Sequence, residues 1–206
     1  DWSSDVCSSD LGQTCVGTKR IYVQKSIYQE FMEKFKQKVE SLKQGFDWKD
    51  PSISLGPLIN EQALEDMKGY VKKALEQGAK LLTGGSPTPD KKGFFFQPTV
   101  FYDVSHDMAV ANEEIFGPIV VLIPFETEDE AIQKANDSPF ALSGSVWTED
   151  LDKGTRVAKQ LNSGTIDVNN VAYTYGLVST PWGGSGDSGY GRTHGTWGFE
   201  ELIEPH

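Results

Sequence analysis

A chain of 206 residues with 37% hydrophobic content is long enough to bury one substantial core, so a single domain is the default. Its net charge of -11 argues against a nucleic-acid partner, because phosphate binding needs clustered Lys and Arg. No apolar run approaches the ~20 residues needed to cross a bilayer, and two cysteines make no disulfide framework. His106, His194 and His206 stand singly without metal-ligand spacing, so the expectation is an acidic, cytoplasmic protein with no membrane or metal requirement.

Residues 1–11 show no periodicity and a Ser/Asp bias unlike the remainder of the chain. They read as an extraneous, disordered tail of the kind a translated adaptor leaves, and Cys7 within them receives no role. The domain proper is expected over 12–206. Gly12-Gln13-Thr14-Cys15-Val16-Gly17-Thr18-Lys19-Arg20 sets a cysteine among small residues, with two cations four and five positions on. Nearby positive charge favours the thiolate, the form that attacks a carbonyl carbon. The alternative is a small buried hydrophobe.

Lys19 to Gln24, with Ile21, Tyr22 and Val23, suits a strand. Ser26 and Gln29 form a capping box for a helix whose apolar face is Ile27, Phe31, Phe35, Val39 and Leu42. A second helix is expected after Asn60, carrying Leu64, Met67, Val71 and Leu75 inward and stopping at Gly78. Phe94–Val104 and Ile119–Phe125 read as strands, the second apolar enough to be buried on both faces. Thr127 and Glu130 cap a short helix through Ala135. A strand over Leu142–Trp147, a helix near Leu151–Leu161 and a strand over Thr165–Val168 complete an alternation that predicts an α/β fold. Its sheet should be mostly parallel and flanked by helices.

Gly184-Ser185-Gly186-Asp187-Ser188-Gly189 fits the dinucleotide fingerprint G-x-G-x-x-G. Pro181-Trp182 precedes it and a glycine-rich run comes after, whereas the motif needs a strand before and a helix after. A glycine-rich loop is the expected form.

The Gly12-to-Arg20 stretch resembles the nucleophile segment of the aldehyde dehydrogenase superfamily. Glu113-Glu114-Ile115-Phe116-Gly117-Pro118 resembles a second element of that family, and Pro181-Trp182-Gly183-Gly184 with Ser188-Gly189-Tyr190-Gly191-Arg192 resembles its late loop. Asn136–Leu142, Gly144–Thr148 and Gly164–Asn169 are also similar, except that Asp167 stands where apolar or aromatic residues are usual.

The resemblance implies a catalytic domain that oxidises a small-molecule aldehyde with NAD or NADP through a thiohemiacetal and thioester on Cys15. It implies that Glu114 holds the nicotinamide ribose and Phe116 lies beside the nicotinamide. It implies a homo-oligomeric parent enzyme, and Tyr175 and Trp182 are by position candidate walls of the aldehyde tunnel. Tyr173, Tyr175 and Trp182 together suggest an apolar or aromatic substrate. In the family the dinucleotide-binding domain, the water-activating glutamate and the oxyanion asparagine precede the cysteine, so the chain is expected to be a C-terminal half that is inactive alone. Two alternatives stand beside this reading: a non-catalytic association domain of the same fold, and a relative that passes the thioester to coenzyme A.

Overall fold

Residues 11–47, 49–171 and 173–204 are described by a computed structural model; the expected tail over 1–10, with Cys7, and His206 lie outside the described residues. Two compact units divide between Glu126 and Thr127. Leu11, assigned by composition to the tail, is 1% exposed, so the packed chain includes it.

In the first unit, Arg20–Gln24 forms β1 and a 3-10 turn over Lys25–Ile27 leads into helix α1, Tyr28–Glu40. The expected capping box at Ser26 does not form, because the 3-10 turn consumes those residues. Ile27 becomes the cap position without a side-chain bond, and Gln29 donates instead to Glu33 at 3.3 Å. The helix stops before Leu42, whose N–H closes a turn onto the Val39 carbonyl at 3.1 Å. Phe31, Phe35 and Val39 face inward as expected, around a buried Met32.

Helix α2 spans Glu61–Glu76, starting after Asn60 as expected, and Asn60 Oδ1 caps it by accepting the Ala63 N–H at 2.8 Å. It ends at Gly78, whose φ of +95° is the left-handed exit that glycine adopts at least cost. Met67, Val71 and Ala74 are buried, whereas Leu75 is 48% exposed. From Val71 the buried seam runs to Ala74, and at ~100° per residue Leu75 swings away from it.

Strand β2, Lys80–Thr83, and the short helix α3, Ala109–Asn112, had no sequence signal. They flank β3, Thr99–Tyr102, which is shorter than the Phe94–Val104 strand expected. Pro98 has no N–H for a ladder, so Phe95 and Phe96 are buried in an irregular approach, Phe96 in an isolated bridge with Pro87. Ile119–Phe125 forms β4 as read.

The sheet order is β1-β4-β3-β2, with β4 parallel to both neighbours and β2 antiparallel at the edge. Strand alternation then divides the core. Phe101, Ile119, Val121 and Ile123 pack with Met67, Val71 and Ala74 of α2, while Val100, Val120 and Leu122 pack with Met32, Phe31 and Phe35 of α1. Each fully buried aliphatic or Phe side chain here contributes about 1.5–3 kcal/mol.

In the second unit, helix α4 covers Glu128–Asn136, with Thr127 Oγ1 accepting the Glu130 N–H at 3.2 Å. The expected Leu142–Trp147 strand is two pieces, β5 at Phe140–Ala141 and β6 at Ser143–Val146. Helix α5, Leu151–Ala158, is capped by Asp150, whose Oδ1 accepts from Lys153 N at 2.9 Å. It unwinds before Leu161 through 3-residue turns such as Leu161 N–H to the Ala158 carbonyl at 3.2 Å. Strand β7, Thr165–Val168, pairs in parallel with β6, and β8, Ser185–Gly186, pairs antiparallel with β5. The last helix, α6, is Gly195–Glu200.

Candidate active site

Strand topology explains how two distant motifs meet. β1 and β4 are adjacent and parallel, in a register that sets Arg20 beside Val121. The loop before β1 carries Cys15, and the segment before β4 carries Glu114 and Phe116. Both therefore emerge at the same end of the sheet. Contact follows: a Cβ added to Gly12 would stand 2.5 Å from the Gly117 carbonyl oxygen, and Gly12 has a φ of +66°.

The Cys15 loop is a tight turn. Gly17 N–H donates to the Thr14 carbonyl at 3.1 Å, which puts Cys15 at the second position of the turn, exposed and unpaired with any other cysteine among the described residues. Gln13 Oε1 accepts the Ile59 N–H at 3.2 Å and fixes the entry to the turn. The exposed thiol is the first testable property of the site. Iodoacetamide followed by peptide mapping is expected to modify Cys15 in the folded chain; labelling only after denaturation would return it to the buried-hydrophobe reading.

Exposure alternates along the Glu114–Phe116 segment. Ile115 is 1% exposed and anchors in the core, while Glu114 and Phe116 point outward on either side, Phe116 at 44% exposure. Glu113 is held by Lys73 at 2.6 Å. Gly117 lies flush against α2, since a Cβ there would meet Met67 Sδ at 2.1 Å. The segment thus presents one carboxylate and one aromatic face from a rigid base.

The two cations after Cys15 part ways. Arg20 sets its guanidinium over the Tyr22 ring, 6.0 Å from the centroid. Lys19 turns under the loop, where Nζ donates to the Gly12 carbonyl at 2.6 Å and stands 5.8 Å from the Phe116 ring centroid. Burial pulls its ammonium down to about 8 from an ordinary 10.5, while the Glu114 carboxylate pushes the other way. Reading by residue type flagged Lys19 as a charge near the thiol but not as the contact between the two motifs.

Tyr175 and Trp182 belong to the second unit. They form an edge-to-face pair with centroids 5.0 Å apart at 70°, Tyr175 on a 3-10 turn over Thr174–Gly176 and Trp182 bridged to Thr193. Asp167, out of keeping with its neighbours in sequence, is 8% exposed and its Oδ2 accepts the Tyr173 N–H at 3.2 Å. It tethers the backbone leading to Tyr175. The Gly184–Gly189 stretch holds strand β8 and a turn, with no helix until Gly195, and Arg192 Nη1 donates to the Gly184 and Gly191 carbonyls at 2.8 and 2.6 Å. It is a braced loop.

Among the described residues, no group of three or more His, Cys, Asp or Glu is placed to hold a metal ion, and no helix is long and apolar enough to cross a membrane.

Comparison with known proteins gives the family. Residues 5–206 match the model of the aldehyde dehydrogenase family. A putative NADP(+) succinate-semialdehyde dehydrogenase 2 of Mycobacterium ulcerans is 42% identical over 199 residues, covering 96% of this chain and 38% of that protein. A betaine aldehyde dehydrogenase of Rhizobium leguminosarum is 40% identical over 196 residues, covering 94% of this chain and 39% of that protein. Among solved structures, a Mycobacterium tuberculosis aldehyde dehydrogenase complexed with NAD+ superposes with a TM-score of 0.89 at 41% identity, covering 96% of this chain and 41% of that one. The chain therefore spans about two-fifths of the length of the relatives it matches. Its mixed, mostly parallel sheet with helices is the α/β fold of those enzymes.

Proposed function

The chain belongs to the aldehyde dehydrogenase family, and from that premise we propose that residues 12–206 are the catalytic domain of an NAD(P)-dependent enzyme that oxidises an aldehyde to a carboxylic acid. The observation that carries the reading is the meeting of an exposed Cys15 loop with the outward Glu114 and Phe116 at one end of the parallel strands.

Those residues fit a nicotinamide nucleotide. Phe116 offers an exposed aromatic face and Glu114 an exposed carboxylate able to accept from ribose hydroxyls, both on a segment anchored by buried Ile115. When bound, the nicotinamide supplies the acceptor for a hydride; everything else is placement.

The thiolate of Cys15 attacks the aldehyde carbon, and the carbonyl pair moves to oxygen to give a thiohemiacetal. The backbone N–H of Cys15 is proposed to meet that oxyanion. Departure of the hydride from the same carbon re-forms the carbonyl as a thioester on Cys15. Water then adds, the thiolate leaves, and the carboxylic acid is released. Transfer to coenzyme A in place of water is the variant within the same chemistry.

Tyr175 and Trp182 are proposed as aldehyde-binding residues, on the strength of their edge-to-face contact and the 51% exposure of Tyr175. The relatives named above are called after aldehydes as different as succinate semialdehyde and betaine aldehyde, and the proposal is of an aldehyde as a class.

The test is a covalent one. When the full-length protein containing this chain is mixed with aldehyde and NAD(P)+ and quenched in acid, the acyl group is expected on the Cys15 peptide. Reduction of NAD(P)+ with no adduct on Cys15 would overturn the assignment, and absence of both would favour a non-catalytic association domain.

A further inference from the structure

We propose that Lys19 is a positioning residue that ties the Cys15 loop to the Glu114–Gly117 segment. The proposal rests on the reading of Cys15 as the nucleophile.

Four observations place it there. Nζ donates to the Gly12 carbonyl at 2.6 Å, so the side chain spans the loop from its last residue back to its first. The ammonium occupies space that only glycines leave open, since a Cβ on either Gly12 or Gly17 would lie 3.2 Å from Nζ. It stands 5.8 Å from the centroid of the Phe116 ring, within reach of a cation–π attraction. The Glu114 carboxylate acts on it electrostatically across the same gap. One cation thus touches both motifs whose juxtaposition makes the site.

The tie is conditional on protonation. A charge-assisted bond to a carbonyl is stronger than one from a neutral amine, and only the ammonium attracts the ring face and the carboxylate. With Lys19 losing its proton near 8, the hold is full below that pH and weakens above it. Among the described residues the charged group acting on it from another element is Glu114; on its own loop stand Cys15 and Arg20, the latter over Tyr22.

Arginine at this position keeps the charge at every accessible pH, and methionine keeps the length without it. The readout is the rate of Cys15 alkylation by iodoacetamide in the whole chain, followed by peptide mapping from about pH 6 to pH 10 and expressed at each pH as a ratio to wild type, which reports how the loop presents the sulfur. Lys19→Met, which lacks the bond to Gly12, is expected to differ from wild type by about three- to tenfold below pH 8 and to converge on it above, as the wild-type amine loses its proton and its hold on the loop weakens. Lys19→Arg is expected to match wild type below pH 8 and to depart from it above.

A Lys19→Arg to wild-type ratio that stays flat through pH 8 overturns the tie, and this comparison does not require Lys19→Met to fold. A Lys19→Met rate equal to wild type at pH 7 overturns it as well. Failure of Cys15 to label at all in the folded wild-type chain overturns the nucleophile reading and the tie with it, whereas labelling with flat ratios removes the tie alone.

Discussion

On the proposed reading of Cys15 as the nucleophile, replacing it with serine in the full-length protein is expected to lower kcat by at least ~10⁴-fold without loss of the fold, because the attacking thiol is lost while its surroundings stay intact. A hydroxyl holds its proton far more tightly than a thiol, so little of the attacking anion exists at neutral pH. The ester that a serine would form is also a poorer acyl donor than a thioester. Cys15 is exposed on a turn closed by backbone atoms, the Gly17 N–H and Thr14 carbonyl, so exchanging sulfur for oxygen removes no core contact. Stability should change by no more than about 0.5 kcal/mol. Steady-state kinetics, a urea midpoint and a cofactor-binding titration together make the check. Turnover retained above about 1% of wild type, with the fold intact, would mean that the chemistry lies elsewhere.

How far the sequence alone reached depends on where its signals were local. The start of α2 after Asn60 and the cap at Thr127 were legible because a short polar side chain and an N–H three residues later are all that such a helix start needs, and both bonds are present. Strand β4 was legible because an unbroken apolar run bounded by a turn fits only a strand covered on both faces, and β4 is the strand with parallel partners on each side. The Ser26 box failed for an equally physical reason. A 3-10 turn satisfies the same residues with backbone bonds, and nothing in residue type separates the two outcomes.

From the residues themselves the site was legible as two motifs, and only the family resemblance put them in one place. Cys15 and Glu114 are ninety-nine positions apart, and their approach depends on which strands become neighbours, a choice made by the whole sheet. Lys19 shows the limit well. Its charge near the thiol was visible by spacing, yet its sharp turn under the loop depends on two glycines that leave room for it and on Phe116 arriving from across the sheet. Arg20, one residue on, has the same charge and goes to the Tyr22 ring instead. Asp167 was visible as an oddity, and only the fold shows the Tyr173 N–H that accounts for burying it.

Gly12→Ala is expected to separate the two motifs, with an effect on turnover far larger than one added methyl group would suggest. Gly12 has a φ of +66°, a region that costs an L residue about 1–2 kcal/mol. The added methyl would also stand 2.5 Å from the Gly117 carbonyl oxygen and 3.2 Å from Lys19 Nζ. The carbonyl is backbone, on a residue already pressed against Met67, so it has little room to retreat. Relief must come from the Cys15 loop, which would be pushed away from Phe116 and lose the Lys19 bond. Strain plus overpacking should destabilise the fold by about 2–4 kcal/mol. A displacement of ~1 Å between the proposed nucleophile and the proposed cofactor element is expected to lower turnover about 10²-fold. Gly69→Ala supplies the control: Gly69 lies in the exposed interior of α2 with nothing within 4 Å of an added Cβ, so it should gain about 0.5–1 kcal/mol and leave kinetics unchanged. Urea midpoints and kcat for both variants, made in the full-length protein, decide the matter. A Gly12→Ala enzyme with wild-type stability and turnover would show that the Cys15 loop is not seated against Gly117, and that the two motifs do not form one site.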